Sequence, residues 1–113
     1  MTLKQLFDMQ RKLDEVIVAM ADVNADGLEP ADFLGDRLLA LHVEVSELAN
    51  ATRCFKYWSS KAPEKKEVLL DEYADILHFF LSVGLALGFT SDEVETAYQI
   101  KHQINYDRQR EGY

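Results

Sequence analysis

Apolar residues recur every three to four positions along most of this chain, a spacing that predicts amphipathic helices rather than strands. The first helix is predicted from about Thr2 to Ala21, and its apolar face consists of Leu3, Leu6, Phe7, Leu13, Val16, Ile17 and Met20. Thr2 is a favourable N-cap, and the turn-forming residues 24–27 end the segment. The chain therefore opens with one long helix that has a single face to bury.

Two further helices carry apolar stripes whose residues lie alternately four and three positions apart. The second helix is predicted to begin within residues 30–32 and to end at about Tyr57, with a stripe of Leu34, Leu38, Leu41, Val45, Leu48 and Thr52. A loop over residues 59–63 precedes the third helix, whose stripe is Leu69, Tyr73, Ile76, Phe80, Val83 and Leu87. Gly88 is a natural C-terminal stop for this third helix.

The fourth helix opens with a capping-box sequence. Thr90 offers the hydroxyl of an N-cap, Glu93 stands three positions later, and the helix is predicted to reach about Gln109. Four such helices without a convincing strand predict an all-α fold, an antiparallel four-helix bundle that forms one domain over residues 1–113. Apolar residues outside the main stripes, such as Phe79, lead us to expect a homo-oligomer that covers them.

The composition limits which binding partners and which cellular compartment we expect for this protein. The chain has 113 residues, 48% of them apolar, which is enough for a globular core. Its formal charge of −8 disfavours a nucleic-acid backbone as partner. The single cysteine, Cys54, excludes an internal disulfide and suits a reducing cytoplasm. No run reaches the roughly 18 apolar residues of a membrane span, and no signal-peptide pattern is present, so we expect a soluble cytoplasmic protein.

Two pairs of acidic residues are the strongest chemical feature of the sequence. Glu44 and Glu47 lie three positions apart in the second helix, as do Glu72 and Asp75 in the third. Residues three apart share a helix face, and apolar neighbours on both sides predict that these acids are partly buried. Each pair alone is typical of a solvated helix face, but two pairs on consecutive helices favour a site for a hard cation such as Mg²⁺ or Mn²⁺.

The fourth helix carries a complementary set of cationic and amide side chains. Lys101, Asn105 and Arg108 lie along one stripe, which suits a phosphate chain, although cations also favour the end of any helix. The aromatic run 55–58 can stack a base, cap the core or form an oligomer contact. His78 lies one turn after Asp75 and either faces the acids or belongs to the core. Together these residues indicate a metal-dependent site for a phosphate-bearing substrate.

The acid motif resembles that of a known family. Glu44-x-x-Glu47 followed by Glu72-x-x-Asp75 is similar to the metal-binding motif of the all-α nucleoside triphosphate pyrophosphatases, which include MazG and the dimeric dUTPases. Within this group, the chain most closely resembles the dimeric dUTPases. The resemblance lies in the opening Gln-x-x-Leu-Asp of the first helix and in residues 47–58, 71–79 and 101–113. The last of these stretches contains the pattern K-x-x-x-N-x-x-R-Q-x-x-G-Y.

One departure from that family concerns length. Longer dimeric dUTPases carry additional helices between the second acid motif and the Gly-Phe-Thr that precedes the last helix. Here Gly88, Phe89 and Thr90 follow the third helix directly. The chain therefore resembles a compact version of these enzymes, with a dimer as the first expectation and a MazG-like tetramer as the second. An active site assembled from two subunits is a further expectation.

The resemblance implies a role for each matching residue. Mg²⁺, or Mn²⁺ in its place, is expected to bind Glu44, Glu47, Glu72 and Asp75, and the general base is expected to be Glu47 or, failing that, Glu44. The expected phosphate-binding residues are Lys101, Asn105, Arg108 and Tyr113, together with Lys56. The residues expected around the base and sugar are Gln10, Trp58 and His78.

The implied reaction is hydrolysis of dUTP to dUMP and pyrophosphate, with dUDP as a further substrate. One rival interpretation keeps the chemistry and changes the nucleotide, to dCTP or a non-standard triphosphate cleared by a MazG-like house-cleaning enzyme. The other is a non-catalytic helical interaction module whose acids are only surface groups. That second rival predicts neither hydrolysis nor metal dependence.

Overall fold

The computed structural model describes residues 1–21 and 27–112. Within these ranges the chain forms four α-helices, with a short 3-10 helix over Pro30–Phe33 and no strand: α1 is Leu3–Met20, α2 is Leu34–Thr52, α3 is Lys66–Ala86 and α4 is Ser91–Arg110. The prediction of an all-α chain with four long helices is confirmed. The predicted turn at residues 24–26 and the predicted phosphate ligand Tyr113 lie outside the described residues.

Local capping fixes where α1 and α4 begin. Thr2 accepts a hydrogen bond from the backbone N–H of Gln5 and donates its own N–H to the Gln5 side chain at 2.7 Å. Thr90 and Glu93 form the same reciprocal pair at the start of α4, with Thr90 N–H donating to Glu93 at 2.9 Å. These hydrogen bonds to the charged form lower the pKa of Glu93. Both predicted N-caps are confirmed.

The predicted end of α2 near Tyr57 was wrong, because the helix stops at Thr52. Arg53 adopts a left-handed backbone conformation with φ of 60°, which ends the helical hydrogen-bond ladder. The Arg53 guanidinium donates a hydrogen bond of 2.8 Å to the hydroxyl of Ser59, beyond the turn. The aromatic run 55–58 therefore lies in turns after α2 rather than on its last helical turn.

Helix α3 is the centre of the fold, with α2 packed along one side and α1 across another. Phe7 of α1 and Leu81 of α3 are each 3% exposed and form part of a very small buried core. Phe7 presses directly on Gly84, where an added Cβ would stand 3.2 Å from the Phe7 ring. The glycine that was expected only to weaken α3 therefore allows α1 to approach closely.

A buried polar network lies beside this apolar contact and joins three helices. Ser82 donates a hydrogen bond of 2.8 Å to the Asp14 carboxylate, and the Gln10 amide donates to both. The Arg37 guanidinium of α2 lies 3.7 Å from the same carboxylate and donates to the backbone carbonyl of Ser82. Gln10 is 5% exposed and Ser82 is 2% exposed, so this network fixes the register of the helices inside the protein.

The fourth helix lies apart from α2 and α3. Among the described helices, α4 packs closely against α1 alone. No single helix in the described ranges is long and apolar enough to cross a membrane; α3 and α4 reach that length and hydropathy only as a pair broken by a 109° bend. The radius of gyration is 17.5 Å, against about 13 Å for a compact domain of this length. One chain therefore has an open arrangement.

Candidate active site

The two acidic pairs meet between α2 and α3. The helices run antiparallel, since Arg37 of α2 contacts the carboxyl half of α3 while Glu44, seven residues later, faces its amino half. Carboxylate oxygens of Glu44, Glu72 and Asp75 all lie within 4.8 Å of one another. Glu47 interacts with both Glu44 and Glu72. The spacing that placed each pair on one helix face thus brings four carboxylates to one point.

The carboxylates of this cluster repel one another, and two of their oxygens lack a hydrogen-bond partner among the described residues. Within the described part of the chain, one carboxylate oxygen of Glu44 and one of Glu72 are buried without a hydrogen-bond partner. Desolvation, a hydrogen bond with Glu47 and the neighbouring charges raise the pKa of Glu44 to about 6. Desolvation and the charge of Glu47 also raise the pKa of Glu72. Orphaned oxygens among like charges are what a bound cation satisfies, and an all-oxygen donor set fits Mg²⁺ or Mn²⁺.

This raised pKa predicts how the stability of the metal-free protein changes with pH. Between the ordinary value of 4.5 and about 6, Glu44 holds its proton in the folded protein but not in the unfolded chain. The free energy of unfolding therefore falls as the pH rises through this window, and the loss is complete above it. Urea unfolding in EDTA at pH 4.5 and pH 7 measures the change. Glu44→Gln is expected to reduce it, and an identical pH dependence in that variant contradicts the assignment.

Gln10 and His78, both predicted near the base, come together beside the acids. Nδ1 of His78 lies 2.6 Å from the Gln10 side-chain oxygen, so the ring donates its Nδ1 proton to that oxygen. Because Gln10 also donates to Asp14 and Ser82, the buried polar network extends to within one turn of Asp75. In this arrangement the hydrogen bonds of Gln10 are used within the protein.

The network residues Asp14, Arg37 and Ser82 were not predicted as functional, although the spacing contained a signal. Arg37 precedes Glu44 by seven positions, and Ser82 follows Asp75 by seven. A spacing of seven returns to nearly the same helix face two turns away. Asp14 and Arg37 also line a cavity of about 550 Å³ at the end of α3 remote from the acids.

The predicted phosphate-binding residues of α4 do not join the acids within one chain. Lys101 and Asn105 instead line a shallow cavity of about 510 Å³ on α4 itself, next to Tyr98, His102 and Tyr106. Arg108 lies on the same helix, which packs only against α1 among the described helices. Their predicted contact with a substrate phosphate therefore needs an element that a single chain does not place.

Lys56 and Trp58 lie in the turns that follow α2, which ends at Thr52, five positions after Glu47. Trp58 is 65% exposed and meets the rings of Phe55 and Tyr57 edge-on. The Lys56 ammonium lies 5.7 Å from the centre of the Phe55 ring. An exposed aromatic surface thus follows the helix that carries Glu44 and Glu47, and its predicted base contact stays a prediction.

Fold and site define an all-α protein with an acidic centre held between two antiparallel helices. The chain belongs to the dUTPase family, whose sequence profile matches residues 2–87. The family predicted from the acid motifs and the aromatic segment is therefore confirmed. The match includes all four acids and ends before α4 begins.

Two curated relatives are phage proteins named dCTP pyrophosphatase. The protein of Enterobacteria phage T4 is 27% identical over 101 aligned positions, and the match covers 75% of this chain and 59% of that protein. The protein of Enterobacteria phage LZ5 is 25% identical over 141 positions, which cover 98% of this chain and 82% of that protein. Because 141 positions exceed the 113 residues here, the alignment includes segments that this chain lacks. No solved structure shows a significant match.

Proposed function

We propose that this chain is a Mg²⁺-dependent nucleoside triphosphate pyrophosphatase, with dUTP as its first substrate and dUDP as a further one. The observation that carries the proposal is the cluster of four carboxylates with two orphaned buried oxygens, located in the part of the chain that matches the dUTPase family. Partly buried like charges this close together destabilise a protein unless something neutralises them. A bound cation with a polyphosphate would offset this repulsion and so account for the cluster.

The four acids then divide into metal ligands and a general base. Glu44, Glu72 and Asp75 are half-buried and would hold the metal, while Glu47 is exposed and can reach water. Bound Mg²⁺ supplies charge neutralisation for the phosphate chain and acidifies water. Glu47 accepts the proton of a water whose oxygen attacks the β-phosphorus. The bond from the β-phosphorus to the oxygen that bridges it to the α-phosphorus breaks, so the nucleoside monophosphate leaves with that oxygen and pyrophosphate is the other product.

The remaining predicted residues would position the nucleotide. Gln10, His78 and Trp58 are proposed around the base and sugar, since His78 lies one turn after Asp75 and contacts Gln10, and Trp58 offers an exposed ring. Lys56 is proposed as a phosphate ligand from the turn after α2. The proposed ligands on α4 and at the C-terminus are Lys101, Asn105, Arg108 and Tyr113.

A second candidate substrate is dCTP, because both phage relatives carry that substrate in their names. Uracil and cytosine differ at ring nitrogen N3 and at the substituent on C4: uracil offers a donor at N3 and an acceptor at O4, whereas cytosine offers an acceptor at N3 and a donor at its 4-amino group. The buried Gln10 amide donates to Asp14 and Ser82 and accepts from His78, so it does not choose between the two orders. The position of that amide alone therefore leaves both pyrimidines as candidates.

Pyrophosphate release from a nucleotide panel tests the proposal. We expect the purified chain to hydrolyse dUTP and dUDP with Mg²⁺, to lose this activity to background in EDTA, and to leave dTTP intact. Preference for dCTP over dUTP would move the chain to the second candidate, and broad hydrolysis would indicate a house-cleaning enzyme. No hydrolysis of any nucleotide, with Mg²⁺ or with Mn²⁺, would support the interpretation as a non-catalytic helical module.

A further inference from the structure

The Asp14 carboxylate fixes the direction of the hydrogen bonds in the buried polar network. It forms an ion pair with Arg37 and accepts the hydroxyl proton of Ser82 at 2.8 Å. A carboxylate in an ion pair accepts hydrogen bonds and has no proton to donate. The group of the Gln10 amide that lies 2.9 Å from this carboxylate is therefore the nitrogen, because an oxygen there would meet a second acceptor. The Gln10 amide thus has one favourable orientation.

The orientation of Gln10 in turn determines which nitrogen of His78 carries the proton. Both amide protons of Gln10 are used, one toward Asp14 and the other toward Ser82 at 3.0 Å. The amide oxygen is left to face Nδ1 of His78 at 2.6 Å. Two acceptors repel each other at that distance, so Nδ1 carries the ring proton. A neutral ring with its proton on Nδ1 has an unprotonated acceptor at Nε2.

This second ring nitrogen lies on the accessible side of His78. The bond to Gln10 is the one hydrogen bond that the ring makes with the described residues. Gln10 is 5% exposed, whereas His78 is an exposed residue. The two nitrogens of an imidazole point in widely different directions, so Nε2 faces away from the buried amide. Because His78 follows Asp75 by three positions on α3, the acceptor is next to the carboxylate cluster.

A purely structural role accounts poorly for a charged group at the origin of this network. Apolar residues of similar size join helices at least as well as a buried ion pair does. The ion pair between Asp14 and Arg37 instead begins a series of hydrogen bonds that passes through Gln10 and ends at an exposed ring beside the acids. A fixed direction in such a series matters where its last member meets a ligand.

We propose that Asp14 and Gln10 are positioning residues that hold His78 with its proton on Nδ1, so that Nε2 accepts a hydrogen bond from a donor group of the bound nucleoside. This role rests on the proposed function and identifies the chemistry that His78 selects. The donor is the sugar hydroxyl or an N–H group of the base. Gln10 then acts through His78, and Arg37 and Ser82 hold the carboxylate in place.

Nitrogen NMR of the isotopically labelled wild-type chain measures the position of the ring proton directly. The spectrum is recorded in mildly alkaline solution, where histidines are neutral, and the signals of His78 are identified by their loss in His78→Phe. We expect the proton on Nδ1 in the wild-type protein. A wild-type ring with its proton on Nε2 overturns the proposal, whether or not the chain has any enzymatic activity.

Asp14→Asn tests whether position 14 controls that proton. An asparagine can offer its oxygen to Arg37 and Ser82 and its amide protons to Gln10, which then turns its own amide protons toward His78. We expect the ring proton to move to Nε2. Gln10→Met, which keeps the ion pair and removes the amide, is expected to release the ring from the Nδ1 form as well. Asp8→Asn, an exposed position on the same helix, is the matched control and is expected to keep the wild-type spectrum. An unmoved proton in both network variants overturns the positioning role.

Nucleotide affinity tests the consequence for recognition. The probes are the analogues of dUTP and dCTP with an NH group in place of the oxygen between the α- and β-phosphorus, which bind without cleavage at that bridge. In calorimetry with Mg²⁺ we expect Asp14→Asn and Gln10→Met to raise Kd about tenfold and Asp8→Asn to leave it unchanged. Unchanged affinity in a folded variant whose ring proton has moved overturns the proposal.

Two competing nucleosides identify the donor group. A weakening in Asp14→Asn that affects 2′-deoxyuridine but not 2′,3′-dideoxyuridine assigns the donor to the sugar hydroxyl, and an equal weakening of both assigns it to the base. A wild-type chain that binds the analogues but hydrolyses no nucleotide overturns the proposed function alone. A chain that binds neither analogue overturns both, so the two failures are distinguishable.

Discussion

Glu72→Gln is expected to abolish nucleotide hydrolysis and, at the same time, to raise the thermal unfolding midpoint of the metal-free protein. Glu72 lies in a cluster whose desolvation and like charges raise its pKa, and one of its oxygens is buried without a hydrogen-bond partner. A neutral amide removes one of the repelling charges and can donate to Glu47. The same amide is a poor ligand for a hard cation, so the gain in stability accompanies the loss of the site.

The expected loss of turnover is about 10²–10³-fold or more, the effect of removing one group that stabilises charge in a transition state. Steady-state hydrolysis with Mg²⁺ and thermal unfolding in EDTA measure the two effects on one preparation. Glu67→Gln, an exposed acid in the first turn of α3, is the matched control and is expected to change neither by much. A Glu72→Gln protein that is both active and unchanged in stability would remove this residue from the site.

Asp14→Ala is expected to cost about 3–5 kcal/mol of unfolding free energy, the largest stability effect we predict for a single residue. Asp14 accepts hydrogen bonds from Ser82 and Gln10 and lies 3.7 Å from the Arg37 guanidinium. Its removal leaves buried donors without an acceptor on three helices at once. Each unsatisfied donor carries its own desolvation cost, about 1–3 kcal/mol.

Asp8→Ala is the control, because it removes the same group from the same helix. Asp8 has two ion pairs, to Lys4 at 3.1 Å and to Arg11 at 2.9 Å, both shorter than the contact between Asp14 and Arg37. Distance alone would therefore rank Asp8 as the more important residue. Its side chain is 41% exposed, against 14% for Asp14, so water can replace its partners and the expected cost is below about 1 kcal/mol.

Urea unfolding of both variants shows whether ion-pair distance or burial better predicts the loss of stability. Equal costs for the two substitutions would show that the polar network on α1 contributes no more than a surface ion pair. Because Gln10 and His78 belong to the same network, we also expect Asp14→Ala to affect hydrolysis through their positions rather than through the metal.

Features that depend on neighbours in sequence were predictable. Thr2 and Thr90 cap their helices because the partner group stands three residues away, and the acidic pairs share a face for the same reason. The convergence of the two pairs followed from placing consecutive helices side by side. Family membership was predictable because the acid motif and the aromatic segment are local patterns.

Features that depend on distant contacts were not predictable in the same way. The end of α2 is determined by the left-handed Arg53 and its bond to Ser59, whereas the apolar stripe of that helix ran on without a break. Asp14 and Ser82 are 68 residues apart in sequence, and neither is unusual in its own helix.

The contact between Phe7 and Gly84 has a consequence for how this protein can evolve. A Cβ at position 84 would meet the Phe7 ring at 3.2 Å, so the ring must shift by a few tenths of an ångström to admit alanine, and a bulkier residue there favours a smaller one at position 7 or a displaced α1. Displacing α1 would also separate Gln10 and Asp14 from Ser82, which lies two positions before Gly84. The two positions are therefore expected to change together along a lineage, in pairs of substitutions rather than one at a time.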